Sequence, residues 1–165
     1  FVPTHLNRNK NLFYQALEFA KKGGNIDFTA GENSENGYSV PDALELVLKE
    51  KVPIERVTVS SDGNGSIPSK EGGAAVGKVS QLFEDIRICV LERKIDLTTV
   101  LKTVTENAAK RIRLYPQKGV LAEGSDGDIL IINKHDFSIN SVIVGGQKLI
   151  DNGNILKRGF YENCQ

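Results

Sequence analysis

Several features that define large protein classes are missing from this 165-residue chain. Lysine plus arginine and aspartate plus glutamate both number 21, so the formal net charge is zero. That balance removes the electrostatic basis for a general nucleic-acid or acidic-membrane binder. The longest aliphatic run, Ile129–Ile132, is far shorter than the ~20 residues of a membrane-spanning helix. The sequence therefore predicts a globular protein with neither a nucleic acid nor a membrane as its partner.

Cysteine is scarce and methionine is absent. Cys89 falls in a helical pattern and Cys164 lies in the C-terminal tail, so the two do not form a disulfide framework. This usage predicts a reducing, cytoplasmic compartment. The chain opens on residues 1–4, Phe-Val-Pro-Thr, which are typical of the end of a strand. We therefore interpret the sequence as part of a longer protein.

Strand-like and helix-like segments alternate over the first two-thirds of the chain. Ser39, with Asp42 three residues later, is a capping box at the start of one of the helical patterns. Consecutive strand–helix units predict an α/β fold, in which helices cover a parallel sheet. The predicted strands are residues 1–4, 26–29 and 56–60, and the predicted helices include residues 12–20 and 43–48.

The composition changes further along the chain. A long loop rich in Gly, Ser and Pro, residues 63–77, is expected to be functional or mobile. Three amphipathic helices follow, the second capped by Asp96. From Pro116 onwards, glycines separate short strands, which predicts a small β module. We divide the chain into an α/β body, residues 1–115, and a β module, residues 116–165.

Two residues with useful chemistry follow predicted strands. His5 lies between a strand and a helix, and Asp62 lies between a strand and the Gly-rich loop. Active sites of barrels and open α/β sheets are assembled at the carboxyl ends of parallel strands. Taken alone, His5 could be a hydrogen-bonded loop histidine, and Asp62 could be a turn or helix-capping aspartate. Their shared placement favours a site in which an imidazole binds a metal and a carboxylate acts as ligand or base.

Arg8 and Ser66 are placed to bind an anion near that position. A guanidinium at the edge of the sheet suits a substrate carboxylate, through two parallel charge-assisted hydrogen bonds. Ser66 could donate a hydrogen bond to the same kind of group. The alternatives are a solvated surface charge for Arg8 and a turn residue for Ser66.

Other chemistries do not fit the sequence. The Asp62–Ser66 segment resembles the start of a calcium loop, but the twelfth position is Gly73 instead of glutamate. No Gly-Lys-Ser/Thr follows the glycines, which excludes a phosphate-binding P-loop. The two histidines, His5 and His135, lie in different modules, and His135 is expected at the surface, which argues against a Ser-His-Asp triad. A hydrolytic metal site needs at least three protein ligands, and the sequence supplies two.

Three segments together resemble a known family. They are residues 1–9 (FVPTHLNRN), residues 17–27 (LEFAKKGGNID) and residues 57–66 (VTVSSDGNGS). These segments are similar to the C-terminal half of the isoaspartyl dipeptidases, also called β-aspartyl peptidases, of the amidohydrolase superfamily. Residues 105–110 and 118–130 resemble motifs that the wider superfamily shares.

The resemblance implies a TIM-type (β/α)8 barrel, of which this chain holds the last three strands, and the C-terminal strands of a small β-sandwich. It also implies a binuclear zinc site whose bridging carboxylated lysine lies outside this chain. On that pattern His5 is a metal ligand, Asp62 is both metal ligand and general base, and Arg8 and Ser66 bind substrate carboxylates. The family forms homo-oligomers, so self-association is expected.

Three functions follow as hypotheses. The first is zinc-dependent hydrolysis of β-aspartyl dipeptides, with this chain inactive when isolated. The second is another amidohydrolase activity, on a cyclic amide or an amine, as in dihydroorotases and deaminases. The third is a non-catalytic fragment that serves only in assembly.

Overall fold

The computed structural model describes residues 1–32, 35–68 and 74–159, without the side chains of residues 66–68 and 74–75. An α/β region is followed by an antiparallel sheet. Short 3₁₀ helices lie at Leu6–Arg8 and Ile54–Arg56. The helices are α1 (Lys10–Lys21), α2 (Val40–Lys49), α3 (Gln81–Leu91), α4 (Leu97–Val104) and α5 (Glu106–Arg111). The strands are β1 (Ile26–Thr29), β2 (Val57–Ser60), β3 (Ser66–Pro68), β4 (Ala74–Val76), β5 (Ile129–Ile132), β6 (Ile139–Val144), β7 (Gln147–Asp151) and β8 (Asn154–Ile155).

Strands β1 and β2 form the parallel pair at the centre of the α/β region. Their register runs from Ile26 opposite Val57 to Thr29 opposite Ser60. Because side chains alternate across a strand, one face is apolar and the other is polar. The apolar face joins the hydrophobic core with α1 and α2, whereas Asp27 on the other face accepts hydrogen bonds from side chains of β2. The parallel strand–helix arrangement expected from the sequence is therefore present.

Capping residues set the helix starts as the sequence predicts. The Ser39 hydroxyl accepts a hydrogen bond from the Asp42 backbone N–H at 3.3 Å and donates to the Asp42 carboxylate at 2.6 Å. Asp96 accepts from the Thr99 N–H at 2.8 Å at the start of α4. These side chains satisfy backbone donors that a helix start otherwise leaves without partners.

The first predicted strand, residues 1–4, does not form a ladder. The Pro3 carbonyl accepts one hydrogen bond from the Asp27 N–H at 3.0 Å, and no regular strand is assigned there. Proline has no N–H to donate in return, which limits pairing at this position. The described structure thus contains two parallel strands, with the segment before His5 running alongside β1.

The predicted loop 63–77 contains regular structure that the sequence analysis missed. Ser66 pairs with Val76 and Pro68 with Ala74, which makes β3 and β4 a short antiparallel pair. Strands of three residues are too short for a period-two pattern to be visible in the sequence. The segment directly after Asp62 is therefore partly ordered by strand pairing.

The β module is a four-stranded antiparallel sheet in the order β5-β6-β7-β8. Asn152 and Gly153 join β7 to β8, and both have positive φ, 48° and 77°, as a type I′ turn requires. The Asp151-Asn152-Gly153 sequence is typical of such a hairpin turn. Among the described helices, none has the length and apolar character needed to cross a membrane.

Candidate functional site

His5 follows the segment alongside β1 and precedes the first 3₁₀ helix. Its backbone is left-handed, with φ 60° and ψ 23°, which is uncommon for a residue with a side chain. The imidazole Nδ1 lies 2.7 Å from the Thr29 hydroxyl at the carboxyl end of β1. The ring is therefore tied to the end of a buried strand, although its side chain is 42% exposed.

Asp62 reaches the same place from the end of β2. It also has a left-handed backbone, with φ 46°. Its Oδ2 lies 3.8 Å from His5 Nδ1, so the structure brings the two predicted metal ligands together. Non-glycine residues with strained backbones cluster at functional sites, and both of these positions carry such strain.

Arg8 lies between two carboxylates. Its terminal NH2 donates to Asp62 Oδ2 at 2.9 Å, and its Nε lies 3.7 Å from Oε2 of Glu32. The Glu32 side chain is almost fully buried. Arg8 therefore stands at the predicted site, beside the carboxylate proposed as base, with its guanidinium held by charge on two sides.

Ser66 is the first residue of β3, where its backbone pairs with Val76. Its side chain lies outside the described part of the structure. The hydrogen bond to a substrate carboxylate that the resemblance implies for Ser66 therefore stays a prediction.

Asp27 lies on the polar face of the β1–β2 pair, two residues before Thr29. Thr58 donates to its Oδ1 at 2.7 Å, and Ser60 donates to its Oδ2 at 2.6 Å. Burial raises the pKa of the Asp27 carboxyl, while the two hydroxyl donors and the charge of His5 act in the opposite direction. The Asp27 carboxyl therefore links β1 to β2 close to His5 and Asp62.

Asn7 joins the 3₁₀ helix to β1 through its side-chain amide. Its Nδ2 donates to the Thr29 carbonyl at 2.9 Å, and its Oδ1 accepts from the Thr29 N–H at 2.8 Å. The same Nδ2 donates to the Tyr38 carbonyl at 3.0 Å. The Asn7 amide thus pairs with the Thr29 backbone as a neighbouring strand would. It holds the end of β1 against the segment that carries His5 and Arg8.

The donor set fits part of a zinc site. An imidazole nitrogen and a carboxylate oxygen are ordinary zinc ligands, and both are partly exposed here. No group of three or more His, Cys, Asp or Glu side chains suited to a metal occurs among the described residues. His5 and Asp62 could therefore contribute to a metal site but do not complete one by themselves.

Comparison with known proteins agrees with this geometry. A family model described as the amidohydrolase family matches residues 10–149, most of the chain. The chain belongs to the amidohydrolase family. The resemblance to the amidohydrolase superfamily is therefore confirmed.

Solved structures of amidohydrolases and related enzymes extend the comparison. The β-aspartyl dipeptidase of Fervidobacterium islandicum AW-1, in complex with a β-Asp-Leu dipeptide, is 39% identical with a TM-score of 0.84. The match covers 96% of this chain and 42% of that one. A second structure of the dipeptidase is 36% identical with a TM-score of 0.78, covering 96% and 40%. The chain therefore spans less than half the length of these relatives.

A more distant structure supports the fold alone. Dihydropyrimidinase from Brevibacillus agri NCHU1002 is 16% identical with a TM-score of 0.66, covering 94% of this chain and 45% of that one. The α/β region and the antiparallel sheet are thus arranged as in amidohydrolases of the TIM-barrel type. Which barrel strands the chain supplies stays a prediction.

Four residues around the site were not found from the sequence: Asn7, Asp27, Thr29 and Glu32. One pattern could have indicated two of them, because Asp27 and Thr29 alternate with the apolar residues of β1. That alternation marks a polar face on a strand that is buried on both sides. Asn7 and Glu32 act through partners distant in sequence, and no local pattern reveals such contacts.

Proposed function

We propose that this chain provides part of the active site of a zinc-dependent β-aspartyl (isoaspartyl) dipeptidase. The supporting observation is the meeting of His5, Arg8 and Asp62 at the carboxyl ends of parallel strands, in a chain 39% identical to a β-aspartyl dipeptidase. The substrate class is a small dipeptide whose aspartyl residue is linked through its side chain. The remaining parts of the site belong to protein outside this chain.

His5 and Asp62 would hold the metal, with further ligands from the rest of the enzyme. When bound, zinc of this kind supplies a water that ionises near neutral pH and a Lewis acid for the scissile carbonyl. The carboxylate of Asp62 accepts a proton from the attacking water. It then delivers that proton to the amine nitrogen that leaves as the peptide bond breaks.

Arg8 would bind a carboxylate of the dipeptide. Its guanidinium already contacts Asp62, so a substrate carboxylate held by Arg8 lies close to the proposed base. Two charge-assisted hydrogen bonds would fix the orientation of the substrate and make the reaction effectively intramolecular. Ser66 would also donate a hydrogen bond to a carboxylate of the substrate. The charge of Arg8 favours a dipeptide over a neutral cyclic amide as substrate. The proposal also includes assembly of the enzyme as a homo-oligomer.

Turnover of β-Asp-Leu by the complete enzyme tests this proposal. Asp62→Asn keeps the size of the side chain and removes the base, so we expect kcat to fall about 10²–10⁴-fold. Asp151→Asn is the matched control, because Asp151 is a partly exposed carboxylate at the end of β7 that pairs with Lys148. Near-normal turnover by Asp62→Asn would exclude the catalytic assignment. Absence of β-Asp-Leu turnover in the unaltered enzyme would exclude the dipeptidase.

A further inference from the structure

The imidazole of His5 needs a support that the residues implied by the family resemblance do not include. Its side chain is 42% exposed and its backbone leaves the regular strand direction at φ 60°. A half-exposed ring on such a backbone can rotate unless another group fixes it. A metal ligand, in contrast, must present one nitrogen in a defined direction.

We propose that Thr29 is the positioning residue that orients His5, and that Asn7 locks Thr29 in place. The inference rests on the proposed function, in which His5 binds the metal. The Thr29 hydroxyl lies 2.7 Å from Nδ1, closer than the Asp62 carboxylate oxygen, which is 3.8 Å from the same nitrogen. A hydrogen bond to one ring nitrogen sets which nitrogen of a histidine is left for a metal.

The backbone of Thr29 is held in place by hydrogen bonds. The residue is fully buried, and its backbone N–H and carbonyl are both bonded to the amide of Asn7, which is itself fully buried. A third bond from Asn7 to the Tyr38 carbonyl prevents the amide from turning. The Thr29 hydroxyl therefore has a fixed position relative to the 3₁₀ helix that follows His5.

The opposite ring nitrogen is left available. Within the described residues, no hydrogen bond to His5 Nε2 is present; the bond to Thr29 uses Nδ1. Either atom of this pair could donate; in the tautomer that the proposal requires, Nδ1–H donates to the Thr29 hydroxyl and the neutral ring keeps its lone pair on Nε2. Thr29 thus selects Nε2 of His5 as the nitrogen that binds the metal, and makes that lone pair more basic.

Zinc affinity of the complete enzyme, measured by competition with a chromogenic chelator, tests the proposal. Thr29→Val removes the hydroxyl at nearly constant volume, and we expect zinc binding about 10–100-fold weaker. Thr29→Ser keeps the hydroxyl and should bind zinc almost as the unaltered enzyme does. The control is Thr103→Val, because Thr103 is also fully buried and, within the described structure, its hydroxyl donates to the Val100 carbonyl in the same helix, α4.

A pair of smaller substitutions guards against misfolding. Thr29→Ala and Thr29→Ser differ by one oxygen atom, so a zinc affinity that is low for alanine and normal for serine supports the proposal even where Thr29→Val does not fold. Equal zinc affinity for alanine and serine would overturn it. A change in thermal midpoint without a change in zinc affinity would show a structural role only, and would also overturn it.

The two proposals can fail separately. An enzyme whose zinc affinity depends on the Thr29 hydroxyl but which does not cleave β-Asp-Leu would remove the dipeptidase and keep the positioning role. An enzyme that cleaves β-Asp-Leu and binds zinc equally with serine or alanine at position 29 would do the reverse. An unaltered enzyme that binds no zinc would overturn both.

Discussion

The α/β body and the β module bury their apolar residues to very different degrees. Ile26 and Phe28 of β1 are fully buried, as is Phe13 of α1, whose ring centroid lies 5.4 Å from that of Phe28. In the sheet of the β module, Leu130 and Ile131 are each nearly half exposed. The body is therefore stabilised by a closed core, whereas the described strands of the module depend on their ladder and on surface contacts. The candidate site lies on the body, at the ends of the buried strands β1 and β2.

The largest expected effect tests the two cores directly. Phe28→Ala removes a fully buried ring and should lower the free energy of unfolding by about 3–5 kcal/mol. Ile131→Ala, in the half-exposed sheet, should cost about 1 kcal/mol or less. Urea denaturation of the two variants measures both values. Similar losses for both would mean that the sheet is as closely packed as the body.

Arg8→Ala carries the next largest effect, and it concerns function. Loss of a charge-assisted hydrogen bond to a substrate carboxylate should lower kcat/KM for β-Asp-Leu by about 10–100-fold, mostly through KM. Lys148→Ala removes a cation from the β module and should leave kcat/KM unchanged, because Lys148 pairs with Asp151 in an exposed ion pair. An unchanged KM in Arg8→Ala would favour an amidohydrolase that acts on a neutral cyclic substrate.

The smallest expected effect is on the pH dependence of stability. Burial raises the pKa of Asp85 on α3, so its contribution to stability is complete below the usual value of 3.8 and is lost as pH rises through the folded pKa. The hydrogen bond from Lys148 lowers the pKa of Asp151, so its contribution is present above 3.8 and is lost as pH falls.

The two carboxyls should therefore respond in opposite directions when each is replaced by asparagine. Relative to the unaltered protein, Asp85→Asn should gain stability as pH rises above about 4. Asp151→Asn should instead gain relative stability as pH falls below that value. Thermal unfolding across this range gives the sign of each slope, and equal slopes would contradict the contrast between the buried and the exposed carboxyl.

Much of the fold follows from local sequence patterns. The N-caps Ser39 and Asp96, the strand β5 and the Asn152-Gly153 turn all depend on residues within a few positions of one another. The proximity of His5 and Asp62 could also be inferred, because parallel segments end at a common edge, although the segment before His5 forms no regular strand. That inference covers only the closeness of the two residues, since their chemical roles are still predictions.

The support of the site could not be predicted in the same way. Asn7 bonds Thr29 across 22 positions, and Arg8 meets Asp62 across 54. Such contacts depend on how the 3₁₀ helix packs against β1, which no local periodicity determines. The β3–β4 pairing was missed for a different reason, because three-residue strands rich in small residues resemble a loop. Contacts between distant polar side chains are thus the part of this site that only a three-dimensional structure supplies.

The left-handed backbone at His5 and Asp62 has a consequence for protein engineering. Glycine has no Cβ and so relieves the steric conflict of this conformation, and a screen that rewards only thermal resistance would accept it at both positions. The selected variants would be more stable but would have lost both proposed metal-binding side chains. Directed evolution of this chain toward heat tolerance should therefore select for turnover in every round.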